Sequence, residues 1–489
     1  MANHRIILRH VRLTVLLLSI LLILPSYLSA GDPPTIVKGT VTDEDGVLSN
    51  VVVTDGYQCV VTDKDGSFRL TPHQDASFIY ISTPAGFLPE EKMNVPQFFK
   101  RIEKDKKHRY DFFLKKNPCD DEKHLLLVHA DPQFFKEDNF DRYQRVVDDM
   151  LYLKESYPEW DILGVDCGDL VGDKPELYPL YIEHQNRTGI PFYRIPGNHD
   201  LQYGGRTTET STERYEKMFG PDHYSFNRGS VHYIVLNNAF YLGRDYFYMG
   251  YIDEKTFIWL EQDLAHVPEG STLFVAMHIP GRLDEEIKPF QYDSRTIGTQ
   301  TINISSLFEM LKPYKAHLLT GHMHHNRNVI HSETLYEHNT GAVSGAWWQG
   351  DYCLDGTPVG YGVYEVNGAE VKWFFKSVGR NRDYQMRVYP PHTTDDYGAD
   401  VVVNIWNWDR NWKVEWFEDG EPMGEMNRFE GLDPEVKKAY SDKEKLDFKW
   451  IVPVNTDHLF RVTPKRKNSE ISVVATDPFG QKHTEIMKQ

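Results

Sequence analysis

Six short apolar runs recur between residues 125 and 319, each separated from the next by a longer mixed segment. They fall at 125–128, 162–165, 193–195, 233–236, 273–276 and 316–319, and are rich in Leu, Val, Ile and Tyr. Runs of this length suit buried strands, and alternation with longer segments points to an α/β domain over residues 121–385. Between the first two runs, Tyr143, Val146, Val147, Met150 and Leu151 keep helical spacing within 140–153. Residues 253–264 repeat that pattern.

The sequence on either side has a different texture. Residues 34–116 hold short β-branched runs such as Val51-Val52-Val53, punctuated by Asp45-Gly46 and Asp65-Gly66, which predicts a small β-sandwich. The acidic stretches 43–46 and 63–66 do not fit a calcium-binding EF-hand loop, which needs Gly at its sixth position and an acid at its twelfth. Here Gly66 is fourth and Gln74 twelfth, so these are hairpin turns. This stretch resembles the transthyretin-like and carboxypeptidase-regulatory-like sandwiches. From about 396 to 489, Val401, Val403 and Ile405, then Trp412, Val414 and Trp416, alternate with polar residues, predicting a second β domain. Tyr389-Pro390-Pro391 reads as the linker before it.

Residues 1–30 have the form of a signal peptide. Arg5, Arg9 and Arg12 precede a nearly unbroken aliphatic run at 13–24, Pro25 breaks it, and Ser29-Ala30 offer small residues for cleavage. The run is short for a membrane span, although an uncleaved anchor is the alternative. Export to the periplasm, the cell surface or the medium follows as an expectation, with no transmembrane segment after signal removal. Cys59, Cys119, Cys167 and Cys353 lack metal-type spacing, and Cys167 lies in an apolar stretch that suits a buried thiol. A composition of 40% hydrophobic and 26% charged residues is that of a soluble globular chain, and a net charge of −18 argues against a polynucleotide partner. Oligomeric state leaves no mark in the sequence.

The chemistry concentrates at or just beyond the ends of the central runs. Asp131-Pro132-Gln133, Gly168-Asp169, Gly197-Asn198-His199-Asp200, His278 and Gly321-His322-Met323-His324 each follow one of them. Sites in open α/β sheets form where loops leave the carboxyl ends of strands, so five strand ends deliver carboxylate, amide and imidazole groups to one rim. This mixture suits two divalent ions of the Mn, Fe, Zn or Co type. Such a pair activates a hydroxide and steadies the leaving oxygen of a phosphoryl group. Taken singly, each residue has a plainer role, as a helix cap, a turn or a hydrogen-bonded His.

With these motifs in this order, the central segment resembles the calcineurin-like metallophosphoesterase superfamily. The three-part layout resembles a bacterial exported branch of it. The resemblance implies a four-layer fold with two packed mixed sheets between helices. It implies that Asp131 and His324 bind one metal, that Asp169 bridges, and that Asn198, His278 and His322 bind the second. His199 then stabilises or protonates the phosphate, with Asp169 and His199 as the catalytic pair. Two positions depart from the family pattern. Gln133 stands where many members have His, so the first site is expected to be weaker or to prefer another ion. Gly172 stands where many have an acid that orients the catalytic His, leaving Asp173 or Asp200 to substitute.

Residues 345–350 (Gly-Ala-Trp-Trp-Gln-Gly) either wall the pocket or, for Trp348 in particular, pack in the core. His129 suits the core, and His325 suits either substrate or a solvated loop. Arg194 and Arg282 stand equally as phosphate contacts or structural charges. The expected function is hydrolysis of a small phosphomonoester or phosphodiester by metal-bound hydroxide. A non-catalytic phosphate- or glycan-binding surface protein is the alternative, and hydrolysis of a non-phosphate ester or amide shares the same ligands.

Overall fold

The computed structural model describes residues 35–103, 108–245, 247–284 and 293–488. The signal peptide expected over residues 1–30 lies outside them. No helix among the described residues is long and apolar enough to cross a membrane.

Each of the six apolar runs lies in a strand or reaches one residue past its end. Lys123–His129, Asp161–Asp166 and Phe192–Arg194 lie parallel, and the antiparallel strands Gly360–Asn367 and Glu370–Ser377 extend the sheet beyond the first. A second sheet holds six strands in the order Tyr224–Arg228, Val231–Val235, Thr272–Ala276, Lys315–Thr320, Leu335–Asn339 and Arg327–Ser332. Its four central strands are parallel and its two edges antiparallel.

Side chains alternate across each strand, so every run serves two cores. Leu126, Val128, Leu163 and Val165 join Tyr233, Val235, Phe274 and Ala276 between the sheets. Leu125, Leu127 and Ile162 turn the other way, onto the helices Asn139–Glu155 and Tyr178–Asn186. Ile234, Leu273, Val275 and Leu318 likewise meet the helices Glu254–Leu264 and Ile304–Leu311. The result is the expected order helix, sheet, sheet, helix. Each aliphatic side chain buried there stabilises the fold by about 1.5–3 kcal/mol relative to exposure. The helix read at 253–264 starts at Glu254 because Asp253 is its cap, accepting from the Thr256 amide at 2.9 Å.

Two four-stranded sheets drawn from residues 37–116 form the N-terminal unit. Its Asp43 and Asp63 carboxylates accept hydrogen bonds from the amides of their own turns, as hairpin chemistry requires. Two more four-stranded sheets make the C-terminal unit, with Val401, Val403, Ile405, Trp412, Val414 and Trp416 in its core. The segment read as a linker at Tyr389-Pro390-Pro391 lies inside this unit. Met386–Tyr389 pairs antiparallel with Val401–Ile405, so the prolines end one strand and open the connection to the next. All four cysteines are free thiols, Cys167 and Cys353 buried among them.

Candidate metal centre and active site

The carboxyl ends of strands from both central sheets converge. Lys123–His129 leads to Asp131, Asp161–Asp166 to Asp169, and Phe192–Arg194 to the turn Asn198–Asp200. From the second sheet, Thr272–Ala276 leads to His278 and Lys315–Thr320 to His322 and His324. The chain turns sharply on leaving the strands. Asp131, Asp169, His322 and His324 all hold positive φ, at 50°, 52°, 71° and 52°. L residues adopt this region at a cost that packing must offset, and such residues cluster at functional sites. Two glycines permit the crowding. A Cβ at Gly168 would lie 2.6 Å from His278 Nδ1, and one at Gly197 would lie 2.2 Å from Asp169 Oδ1.

Asp169 sits at the centre. Its Oδ1 accepts the His199 backbone N–H at 2.8 Å and lies 3.3 Å from His278 Nε2, while Gln133 Nε2 approaches its Oδ2 at 3.5 Å. On one side of it, His278 Nε2 is 3.0 Å from Asn198 Oδ1 and 3.2 Å from His322 Nδ1. His278 Nδ1 donates to the Cys167 carbonyl at 2.7 Å, which fixes the ring and leaves Nε2 facing these partners. Ligand atoms of Asp169, His278 and His322 all lie within 4.8 Å of one another. On the other side the groups stand further apart. Asp131 Oδ1 is 3.7 Å from His324 Nε2, and His324 Nδ1 bonds the Gly345 carbonyl at 2.7 Å.

The electrostatics mark a cation site. Burial raises the pKa of Asp131, and the Asp169 charge adds to that rise. Burial acts in the same direction on Asp169, but the neighbouring His278 and His199 outweigh it and hold Asp169 below the usual carboxylate range. Burial lowers His278, yet Asp169 lifts it to about 9, whereas His322 is pushed down to about 3 by burial and by His278. Protons thus stand in for positive charge among packed donors. Asp131 Oδ1 and Gln133 Oε1 are buried with no hydrogen-bond partner, and a buried acceptor left unsatisfied costs stability unless something fills it. Carboxylate, amide oxygen and imidazole nitrogen are ligands for intermediate divalent ions, so the residues fit the pair of metals that the motifs suggest.

His199 is half-buried, and its Nδ1 lies 3.0 Å from Asp173 Oδ1. Burial lowers its pKa, but Asp169 and the Asp173 hydrogen bond raise it further, to about 9. Of the two acids the sequence offered as its partner, Asp173 takes that place. Asp200 turns inward instead, accepting from the Gly197 and Leu170 amides at 2.8 and 3.1 Å and from the Tyr178 hydroxyl at 2.8 Å. At Gly172 a Cβ would lie 2.2 Å from the Phe135 ring, so no side chain fits there without movement.

Other candidates fall into the scaffold. His129 is buried among Tyr143, Phe192 and Tyr361. Arg194 is not a phosphate contact: it is buried, pairs with Asp166 at 3.0 Å and donates to Asn94 and Gln185. The Arg282 guanidinium lies over Phe308, and its backbone N–H donates to Glu337. His325 is half-buried with its Nδ1 unpartnered. Trp348 packs in the core and donates to the Pro132 carbonyl at 3.0 Å, whereas Trp347 stacks on His324. Three neighbours had no motif to announce them. Tyr248 stands edge-on to His322 at 5.9 Å, Tyr203 donates to the Asn198 carbonyl, and buried Glu337 accepts the Gly281 N–H at 2.6 Å, fixing the loop after His278.

Comparison with known proteins identifies the family. Family profiles described as the N terminal of calcineurin-like phosphoesterase, calcineurin-like phosphoesterase itself, and its C terminal match residues 35–117, 124–326 and 337–483. A 3',5'-cyclic-nucleotide phosphodiesterase of Nostoc sp. is 31% identical over 180 residues, covering 36% of this chain and 60% of the relative. A protein named as a probable glycerophosphodiester phosphodiesterase of Arcobacter nitrofigilis is 26% identical over 180 residues, with the same coverage of both. The match thus spans less than two thirds of either relative. Among solved structures, a dimetal phosphatase from Danio rerio aligns with a TM-score of 0.36 at 12% identity, over 52% of this chain and 96% of the other. A metallophosphoesterase from Sphaerobacter thermophilus aligns at 0.25 with 14% identity, over 52% and 89%. The chain belongs to the calcineurin-like phosphoesterase family, with both of the terminal units that accompany the catalytic part in its three matched profiles.

Proposed function

We propose that the protein is an exported hydrolase of small phosphomonoesters or phosphodiesters that works with two divalent metal ions. One observation carries the hydrolase reading. Donors from five strand ends in two sheets meet around Asp169, while Asp131 Oδ1 and Gln133 Oε1 remain buried and unpartnered. Asp131, Gln133 and His324 would hold one ion, Asn198, His278 and His322 the other, with Asp169 shared between them. When bound, such ions polarise phosphoryl oxygens and bring the pKa of water close to neutrality.

The chain's own groups supply the rest. Asp173 accepts from His199 Nδ1 and fixes that ring, which leaves Nε2 as the atom available to the phosphate. That hydrogen bond also favours the protonated ring, which can hand a proton to the leaving oxygen. Its backbone N–H holds Asp169 in place, so one residue positions the shared carboxylate and serves the leaving group. The phosphodiesterase names of the two relatives favour a diester.

The test is hydrolysis of p-nitrophenyl phosphate and bis-p-nitrophenyl phosphate by the purified protein with Mn, Zn, Fe or Co, with Asp169→Asn as control. Turnover that disappears in the variant supports the reading. No turnover of either ester with any of these ions would favour the non-catalytic phosphate- or glycan-binding alternative.

A further inference from the structure

Between the strands Asn427–Gly431 and Thr456–Val462, the C-terminal unit sends a long connection back along the catalytic domain. Its attachment is firm. Tyr440 donates to the Tyr352 carbonyl at 2.6 Å, the Asp447 N–H to Gln349 at 2.8 Å, and the Val454 N–H to the Leu354 carbonyl at 3.0 Å. Ala346, Leu354, Val436, Tyr440, Leu446 and Ile451 close a small core of their own beneath it. On this anchored segment Trp450 is 56% exposed. Its ring meets Trp347 edge-on, with centroids 4.3 Å apart at 73°, and Phe448 supports it at 5.4 Å. Trp347 in turn lies flat on His324, 4.1 Å away at 22°. A continuous row of rings therefore leads from one of the proposed ligands to solvent.

We infer that Trp347 and Trp450 form a binding platform for a flat, uncharged ring on the alcohol portion of the phosphate ester. The inference rests on the phosphoesterase reading and narrows its substrate class. A large exposed indole on a rigid segment leaves apolar surface in water that a ligand ring would cover. The platform begins at His324, so a ring placed there stays within reach of a phosphoryl group at the centre. Its charged neighbours neutralise one another: Lys136 pairs with Asp447 at 3.3 Å, and Gln349 also donates to Asp447. Stacking is what the two indoles offer a ligand. Base or aryl stacking on an aromatic side chain is worth about 1–3 kcal/mol, about fivefold in affinity at the lower end.

The experiment uses two phosphonates that cannot be hydrolysed, 3-phenylpropylphosphonate and pentylphosphonate, titrated calorimetrically into the full chain with Mn present. The corresponding esters, 2-phenylethyl phosphate and n-butyl phosphate, have primary alkyl leaving groups of similar acidity and are assayed in parallel. The phenyl compound should bind about tenfold more tightly than the pentyl compound. That ratio should fall close to one in Trp450→Ala, persist in Trp450→Phe, and persist in Ile486→Ala, which removes an exposed apolar side chain elsewhere in the same unit. A ratio near one in the unaltered protein, or one that survives Trp450→Ala, overturns the platform. Ring-selective binding without hydrolysis of either ester or of bis-p-nitrophenyl phosphate supports the platform and sinks the hydrolase reading. Hydrolysis without ring preference does the reverse.

Discussion

The two halves of the centre are built to different tolerances. Around Asn198, His278 and His322 the donors already touch, with contacts of 3.0 and 3.2 Å and the His278 ring fixed by the Cys167 carbonyl. Around Asp131, Gln133 and His324 the nearest ionic contact is 3.7 Å, two oxygens have no partner, and the third ligand is a neutral amide. The compact half sets the Asn198 amide and two imidazoles in a preorganised cluster. The open half relies on a carboxylate whose pKa burial raises and on an uncharged amide. The difference teaches that the two ions should bind unequally, with the weaker equivalent at Asp131, Gln133 and His324.

The largest effect should come from the residue both halves share. Asp169→Asn should lower turnover by roughly 10³-fold or more, since each ion loses an anionic ligand and the transition-state charge its counterweight. Steady-state kinetics with saturating metal measures this, and a loss confined to one metal equivalent would break the symmetry assigned to Asp169. Next comes Asp173→Ala, which leaves both halves intact but releases His199. It should cost about 10²-fold in kcat with metal content unchanged. The Asp173 hydrogen bond favours the protonated His199 ring, which gives up its proton as the pH rises. Activity should therefore fall on the basic side, and the variant, lacking the Asp173 partner, should show that fall at lower pH. A pH–rate profile that does not move would contradict the orienting role.

Smaller changes should separate the halves. Gln133→Ala should weaken one metal equivalent by about tenfold and leave the other untouched, as read by equilibrium dialysis. Equal weakening of both would remove the distinction drawn here. Smallest is Trp348→Phe, which deletes the hydrogen bond to the Pro132 carbonyl between Asp131 and Gln133. It should cost about 1 kcal/mol of stability in denaturant unfolding, with any change in metal binding confined to the weaker equivalent.

Much of this was legible in the chain because buried strands and their carboxyl-end motifs are local in sequence. The six apolar runs and the Asp, Asn and His motifs after them needed no long-range information to be seen. What escaped depended on directions that spacing does not encode. Asp200 adjoins His199 in the chain whereas Asp173 lies 26 residues before it, and only the folded positions, with Asp173 at a φ of 60°, settle which one reaches the imidazole. Arg194 ends the strand that leads to the Asn198 turn, yet its side chain turns inward to Asp166. Trp347 and Trp348 are adjacent and diverge, one onto His324 and one into the core. The approach of Phe448 and Trp450 to the centre is a tertiary contact across more than a hundred residues, and no periodicity in that stretch signals it.

The most direct test is the metal content of the full chain. Equilibrium dialysis against Mn, with the bound ion counted by elemental analysis, should show two equivalents, one tighter than the other, and Asp169→Asn should weaken both. A single equivalent, or two that survive Asp169→Asn unchanged, would contradict a centre built from two unequal halves around one shared carboxylate.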